Sequence, residues 1–341
     1  MNEEDQPCHR LLSILPLAAQ AQTNVTVYGI ADASIGSEDS DAPNVGRRTV
    51  VSSGTQGTSR IGFRGTEDLG NGLKALFNFE AGLALDTGAA DAAGLFQRRA
   101  VVGLQGAFGT VTIGREYGPI AAVVQASDPL GHGFYGSNLG GFGTNRMTRR
   151  LSNSVNYKSE SISGFTGLAA YSAGERNESE PSGDLAGAAL EYRNGPVYVG
   201  AGYQRVERLA SGDDKELAVG AGVTFGAFEV RGSYSEADLT GPNNEFKYLI
   251  LGGTYTFGPN KLFLALHQQR LETGDAEGDG FTLAYSYSLS KRTNLYSTYA
   301  HVRNNSTGTF GLTSAGGTFA PPATALGADP SVFNVGVRHS F

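Results

Sequence analysis

The sequence predicts an all-β protein, an antiparallel β-barrel that crosses a membrane. The final segment, 333–341, alternates apolar with small or polar residues and stops on an aromatic residue. With a period of two, Phe333, Val335, Val337 and Phe341 share one face. A closed barrel in lipid needs such a one-sided last strand, because its first and last strands must pair to leave no edge. An edge strand of a soluble sandwich is the alternative interpretation of this segment.

Composition supports the same fold class. Glycine accounts for 49 of 341 residues, about twice its usual share, which indicates many short strands and turns. Charged residues are 17% of the chain and the mean hydropathy is −0.21. No run approaches the roughly 20 apolar residues of a membrane helix. A transmembrane barrel keeps its mean hydropathy low because only alternate residues of each strand face lipid.

The first 21 residues are interpreted as an atypical signal peptide. Residues 11–17 are mostly apolar, and Ala19-Gln20-Ala21 is a small-x-small cleavage pattern that predicts a mature chain beginning at Gln22. The residues before this stretch are acidic, whereas a secretory leader begins with basic residues. The single cysteine, Cys8, lies inside the leader, so the mature barrel, 22–341, is expected to lack thiol chemistry.

Sixteen alternating segments follow, each near the 9 to 11 residues that a tilted membrane strand requires. They are predicted at 24–35, 58–65, 72–84, 97–106, 109–116, 150–159, 165–173, 185–193, 196–206, 215–225, 228–237, 246–257, 261–271, 279–289, 294–303 and 332–341. Tight turns and longer polar stretches alternate between them. Short turns on one side and long loops on the other are typical of an outer-membrane barrel.

Several blocks of this chain resemble the general porins of Gram-negative bacteria, particularly the betaproteobacterial type. They are residues 25–29, 59–70, 109–115, 153–157, 289–293 and 336–341. The resemblance covers nearly the whole mature chain. It implies a sixteen-stranded barrel in the outer membrane, a homotrimer, and passive diffusion of small hydrophilic solutes and ions.

Strand alternation predicts which charges face the lumen. Ile61 and Phe63 take the lipid face, so Arg60 and Arg64 turn inward. By the same period the predicted lumen residues of the other strands are Lys74, Asn78, Glu80 and Arg150. In the segment from 97 the period selects Arg99, although a β-bulge would exchange it for Arg98. The resemblance points to Arg98 as the constriction arginine, so both stay open.

The segment 117–149 is the expected constriction loop, because it corresponds by position to the family's third loop, which folds into the barrel. Its glycines allow a tight path through a crowded lumen. The resemblance implies an acidic residue here, at Asp128. The expected constriction places Arg60, Arg98 or Arg99, and Arg150 on the wall, faced by Asp128 and assisted by Glu80. Opposed charges would orient dipolar solutes, and the excess of arginine favours anions. A wall arginine paired with a nearby carboxylate is the simpler alternative for each.

Enzymatic activity finds little support in the sequence. The five histidines show no metal-ligand spacing, and no Ser/His/Asp set can be placed on adjacent strands. Residues 131–136 match a dinucleotide-binding glycine pattern, but no helix is expected after them, so no cofactor is predicted. A net charge of −7 without a basic stripe argues against nucleic acid as a partner.

The expected partners are those of an outer-membrane porin. They are two further copies of the chain, membrane lipid, and the barrel assembly machinery, which would recognise the terminal Phe341. Acidic residues of the long loops, such as Glu38, Asp39, Asp41, Glu175, Glu178 and Glu180, are expected to bridge lipopolysaccharide through divalent cations or simply to be solvated. A substrate-specific porin of the same fold is the alternative function, and a non-conducting barrel enzyme or adhesin is a more distant one.

Overall fold

The structure is a computed structural model that describes residues 24–90, 94–143, 146–175, 183–208 and 212–341. The predicted signal peptide and the predicted start at Gln22 therefore lie outside the described residues, as do Glu178 and Glu180. None of the helices in these ranges is long and apolar enough to span a bilayer.

Strands account for most of the described chain. They are β1 (Asn24–Asp39), β2 (Arg48–Ser53), β3 (Arg60–Gly70), β4 (Leu73–Ala84), β5 (Ala89–Ala90), β6 (Arg99–Gly106), β7 (Gly109–Tyr117), β8 (Arg150–Lys158), β9 (Phe165–Ser172), β10 (Leu185–Asn194), β11 (Val197–Glu207), β12 (Asp213–Phe225), β13 (Phe228–Asp238), β14 (Glu245–Phe257), β15 (Asn260–Leu271), β16 (Ala276–Ser288), β17 (Thr293–Asn304), β18 (Leu312–Ser314), β19 (Gly317–Phe319) and β20 (Ser331–Ser340). The helices are α1 (Pro119–Ala126), α2 (Gly140–Gly143) and a 3₁₀ turn at Thr273–Asp275.

The barrel closes between its first and last strands. β20 pairs with β1 from Ile30 to Asp39 on one edge and with β17 on the other. On the other edge of β1, Asn24 to Ile30 pair with β3, and Ala33 to Glu38 pair with the short β2. Across the described residues, sixteen strands form one closed antiparallel barrel. The predicted fold class is confirmed, and closure leaves the sheet without a free edge.

Each barrel strand alternates between a lipid face and a lumen face. On β11, Val199 is 48% exposed on the outside while its neighbour Tyr198 is 7% exposed on the inside. The same alternation exposes Val102 on β6 and Leu264 on β15. Apolar side chains on the outer face suit the hydrocarbon of a membrane, so the period that located the strands also assigns their inner residues.

The structure contains elements that the alternation did not predict. β1 continues to Asp39, and β2 extends the wall where a loop was expected. β18 and β19 form a hairpin in the stretch between the last two predicted strands, 294–303 and 332–341. The expectation that no helix follows residues 131–136 was wrong, because the single turn α2 does.

Candidate functional site

The segment between β7 and β8, here called loop 3, folds into the barrel. It begins with α1, whose Ile120, Val123 and Val124 are buried against the inner wall. The wall presents small residues there, including Ala189 and Ala218. At Gly220 the space is fully used, because a Cβ would lie 2.2 Å from the Oγ of Ser127 at the end of α1. Small residues on β10 to β13 thus form a trough that seats the helix.

The middle of loop 3 crosses to the opposite wall. Phe134 is fully buried and meets the rings of Phe263 and Tyr296 edge-on, with centroids 5.3 and 5.5 Å apart. The hydroxyl of Tyr248 donates to the carbonyls of Gly136 and Ser137 at 3.1 and 2.9 Å. A loop fixed by packing and by hydrogen bonds at both walls has one position in the lumen.

The β18–β19 hairpin completes the inner surface. The amide of Gly136 donates to the Thr313 carbonyl at 3.1 Å, and the amide of Ala315 donates to the Gly133 carbonyl at 2.7 Å. Thr58 on the adjacent wall donates its hydroxyl to the Ala315 carbonyl at 2.7 Å. Loop 3 and the hairpin are therefore one hydrogen-bonded layer inside the barrel.

A cavity of about 930 Å³ remains between this layer and the wall. Its charged lining comprises five arginines and two carboxylates in the described residues, namely Arg48, Arg98, Arg115, Arg149, Arg150, Glu38 and Asp86. Apart from Arg149, loop 3 contributes an uncharged surface that includes Tyr135, Leu139, Phe142 and Met147. Glu38 is already bonded to Arg48, through Nε at 2.7 Å. The remaining cavity is strongly positive.

The arginines converge on the phenol of Tyr117, the last residue of β7. Arg98 and Arg150 both donate to its hydroxyl, at 3.1 and 3.2 Å. The guanidinium carbons of Arg150 and Arg149 stand 4.9 and 5.5 Å from the ring centroid, which is cation–π geometry. Arg115 is held beside them by the Gln97 carbonyl at 2.6 Å. Tyr117 therefore gathers the positive charges on one side of the cavity.

Arg149 and Arg150 have no carboxylate within 4.0 Å among the residues that the structure describes, and their buried Nε atoms have no hydrogen-bond partner. Burial lowers the pKa of the Arg149 guanidinium, and the adjacent Arg150 lowers it further. Like charges held together without counter-ions give a field that an anion entering the cavity would relieve.

Glu80 joins two of the predicted constriction arginines. Its Oε1 accepts from the Nε of Arg98 at 2.6 Å, and its Oε2 is 3.2 Å from the Nε of Arg60. The hydroxyl of Tyr28 also donates to Glu80, at 3.1 Å. The structure thus brings Arg60, Arg98 and Glu80 together, with Arg98 at the cavity surface and Arg60 outside its lining.

Arg98 and Arg99 both lie inside the barrel but in different places. Arg98 precedes β6 and turns toward the cavity, whereas Arg99 pairs with Glu116, its Nε 2.8 Å from the carboxylate. A register shift on β7 between Gly114 and Glu116 turns Glu116 toward Arg99. Of the two arginines, Arg98 is the one that lines the cavity.

The predicted lumen-wall residues, Arg64, Lys74 and Asn78, lie outside the lining of the cavity. Arg64 stands 5.0 Å over the ring of Tyr28, and the Tyr28 hydroxyl donates to Asn78 at 2.8 Å. Tyr28 lies flat across Gly62, where a Cβ would come within 2.4 Å of the ring. Lys74 is exposed, two residues after the turn at Gly72.

Asp128 is placed differently from the expectation that it faces the arginines. Its side chain is fully buried and accepts from the amides of Leu130 and Asn138, at 2.6 and 2.9 Å. Burial raises the pKa of this carboxyl to about 6. His132, whose pKa burial lowers well below its usual range, lies 3.8 Å away. Asp128 therefore organises the loop backbone and does not line the cavity.

Sequence reasoning missed Arg115, Tyr117 and Arg149, and also Arg48 and Asp86 on the cavity lining. Arg149 precedes β8, where no period applies, and the β7 register shift obscures the faces of Arg115 and Tyr117. The adjacent pair Arg149-Arg150 beside a polar strand was the available signal. Glu38, expected in a solvated loop, is buried beside Arg48 and the hydroxyl of Tyr135.

Comparisons with known proteins agree with this architecture. The Gram-negative porin family matches residues 11–307. Outer membrane porin protein 32 of Delftia acidovorans is 32% identical, over 95% of this chain and 96% of its own length. An outer membrane porin protein of Bordetella pertussis is 30% identical, over 84% of this chain and 91% of its own length.

Solved structures extend the comparison to three dimensions. An anion-selective porin from Comamonas acidovorans superposes with a TM-score of 0.85 at 28% identity, over 94% of this chain and all of its own. OmpT of Vibrio cholerae in its trimer form gives 0.70 at 20% identity, over 94% and 99%, which shows a shared fold. The closed barrel, the inserted loop 3 and these relatives together show that the chain belongs to the Gram-negative porin family and is an outer-membrane diffusion channel.

Proposed function

We propose that this porin passes small hydrophilic solutes and ions by diffusion and prefers anions. The observation that supports this proposal most strongly is the group of arginines around Tyr117, here called the arginine cluster. Its members are Arg98, Arg115, Arg149 and Arg150. It lines the cavity on one side, and Arg149 and Arg150 have no counter-ion within the described ranges. Local charge at the narrow section, and not the net charge of the chain, sets ion preference.

Passage is expected between the arginine cluster and the uncharged surface of loop 3. An anion entering this gap replaces part of its hydration with guanidinium donors, which bind oxygen and halide anions through several N–H groups. A cation meets several positive charges that the nearby carboxylates offset only in part.

The predicted constriction residues take unequal roles in this proposal. Arg98 and Arg150 face the permeating ion, and Glu80 holds Arg98 in place while it neutralises Arg60. Arg99 is offset by Glu116. Because Asp128 is buried, the acidic side of the expected transverse field is weak, and the field arises mainly from the arginines and Asp86.

The family and the relatives indicate a channel and not an enzyme. The alternative within the channel class is a substrate-specific porin, which would bind one solute along the lumen. Swelling of protein-containing liposomes in sugars and amino acids of increasing size separates the two. Rates that fall smoothly with solute size and do not saturate support general diffusion; saturation by one solute would favour the specific channel.

The assembly is proposed to be a homotrimer, supported by the trimer form of the structurally similar OmpT. Membrane lipid and lipopolysaccharide surround it, and the assembly machinery is proposed to recognise Phe341. The ring of Phe341 packs on Gly29 at the seam, where a Cβ would come within 2.4 Å of it. Conductance that rises in steps of three after detergent extraction would support the trimer, and single steps would oppose it.

A further inference from the structure

Loop 3 returns to the wall through Thr148, and all three polar groups of this residue are bound by two buried side chains. Glu216 on β12 accepts from the Thr148 amide at 2.8 Å and from its hydroxyl at 2.9 Å. Gln204 on β11 donates its Nε2 to the Thr148 carbonyl at 2.9 Å. The same Nε2 is 2.8 Å from Glu216, which links the two side chains.

Glu216 is an unusual group for this position. It is 1% exposed, and in the described part of the chain no Lys or Arg nitrogen lies within 4.0 Å of its carboxylate. A buried carboxylate without a cation is costly unless several donors satisfy it. Three donors do so here, and two of them come from Thr148, so the carboxylate is committed to the loop.

The contact with Thr148 matters because of the residues that follow it in the chain. The next two residues are Arg149 and Arg150, members of the arginine cluster. The amide of Gly118, where α1 begins, donates to the Arg149 carbonyl at 3.0 Å. Gly118 also leaves room for Gln204, since a Cβ there would lie 3.1 Å from its Oε1. The two legs of loop 3 therefore meet beside Glu216.

We propose that Glu216 and Gln204 form a clamp on Thr148 that positions Arg149 and Arg150 for anion passage. They act as positioning residues, because neither of them lines the cavity. The inference rests on the proposed anion preference. It assigns to an acidic residue of the wall the task of maintaining a positive constriction.

The test uses the sign of a selectivity change. Glu216→Gln keeps the side-chain volume but sets an amide N–H against the donors of Thr148 and Gln204. Glu191→Gln is the matched control, because Glu191 is also a buried lumen carboxylate, and its partners are the side chains of Tyr198 and Arg193 on the wall. Both changes remove one negative charge from the wall, so electrostatics alone makes both channels more anion-selective.

The clamp predicts opposite outcomes for the two variants. In a planar bilayer with a salt gradient, the zero-current potential of Glu191→Gln moves further toward the chloride limit, while that of Glu216→Gln moves toward zero. Thr148→Val replaces the hydroxyl with a methyl group and should also move the zero-current potential toward zero, but by less than Glu216→Gln. It is the variant to measure if Glu216→Gln does not fold. Adding Glu216→Gln to an Arg149→Ala, Arg150→Ala background produces no further loss.

Equal shifts of Glu216→Gln and Glu191→Gln toward chloride would overturn the clamp and leave the proposed function intact. For Thr148→Val, a potential equal to wild type would likewise overturn it. A wild-type channel without anion preference would instead overturn the proposed function itself.

Discussion

Substitution of Gly220 tests whether loop 3 occupies the position described. In Gly220→Ala the new Cβ would lie 2.4 Å from the Cβ of Ser127. Carbon atoms in contact ordinarily stand about 3.5–4.0 Å apart, so the end of α1 must move toward the lumen by more than ~1 Å. Overpacking of this kind costs about 1–3 kcal/mol. The barrel wall keeps its pairing, because β12 changes only in its lumen face.

The expected result is a folded barrel with reduced single-channel conductance, because α1 moves into the passage. Heat-modified mobility in detergent gels confirms the fold, and planar-bilayer recording measures the conductance. Gly167→Ala is the control, since a Cβ on Gly167 meets only the Ser159 hydroxyl at 3.8 Å. Ser127→Gly removes both clashing atoms and should restore conductance in the Gly220→Ala protein. A Gly220→Ala channel indistinguishable from Gly167→Ala would refute the placement of α1 on this wall.

Three further predictions concern charge. Arg150→Gln removes about 0.8 kcal/mol of attraction for an anion passing about 5 Å away in water, which corresponds to about a fourfold decrease in the passage rate of that anion. Arg99→Gln is the control, because Arg99 lies outside the cavity, and it should change the zero-current potential less. Equal effects of the two substitutions would contradict the site. Tyr117→Phe removes the hydroxyl shared by two cluster arginines, so anion preference should fall with the fold intact; an unchanged potential counts against its role. Asp128→Asn should alter the pH dependence of stability, measured by denaturant unfolding between pH 4 and 7.5. Because the folded pKa of Asp128, about 6, is above its unfolded value, ionisation destabilises the native loop, and wild type should lose stability relative to the variant as pH rises through this window; a constant difference would contradict it.

Strand alternation was informative wherever a strand faces lipid. Lipid demands an apolar outer face on every strand, so Ile61 and Phe63 reveal the inward direction of Arg60 and Arg64. The same logic located Glu80 and Arg150 on the inner wall. It was less informative at the end of β1 and on β2, where adjacent Val50 and Val51 fall on opposite faces and give no single apolar side.

The interior of loop 3 was not predictable by the same means. A carboxylate in a glycine-rich loop has no period, and whether Asp128 faces the lumen or its own backbone depends on how the loop turns at Leu130 and Asn138. The choice between Arg98 and Arg99 depended on where β6 begins and on the register shift of β7. These are tertiary features, set by packing between segments far apart in sequence.

The zero-current potential of the purified wild-type protein tests most directly whether the arginine cluster gives this porin its proposed preference for anions. The protein is inserted in a planar bilayer that separates about 0.1 M potassium chloride from a more concentrated solution of the same salt. The dilute side is kept near this concentration because concentrated salt screens the charges of the arginines. The expected result is stepwise conductance with a potential on the chloride side, which weakens as salt is raised on both sides. Stepwise conductance with a potential on the potassium side would contradict it.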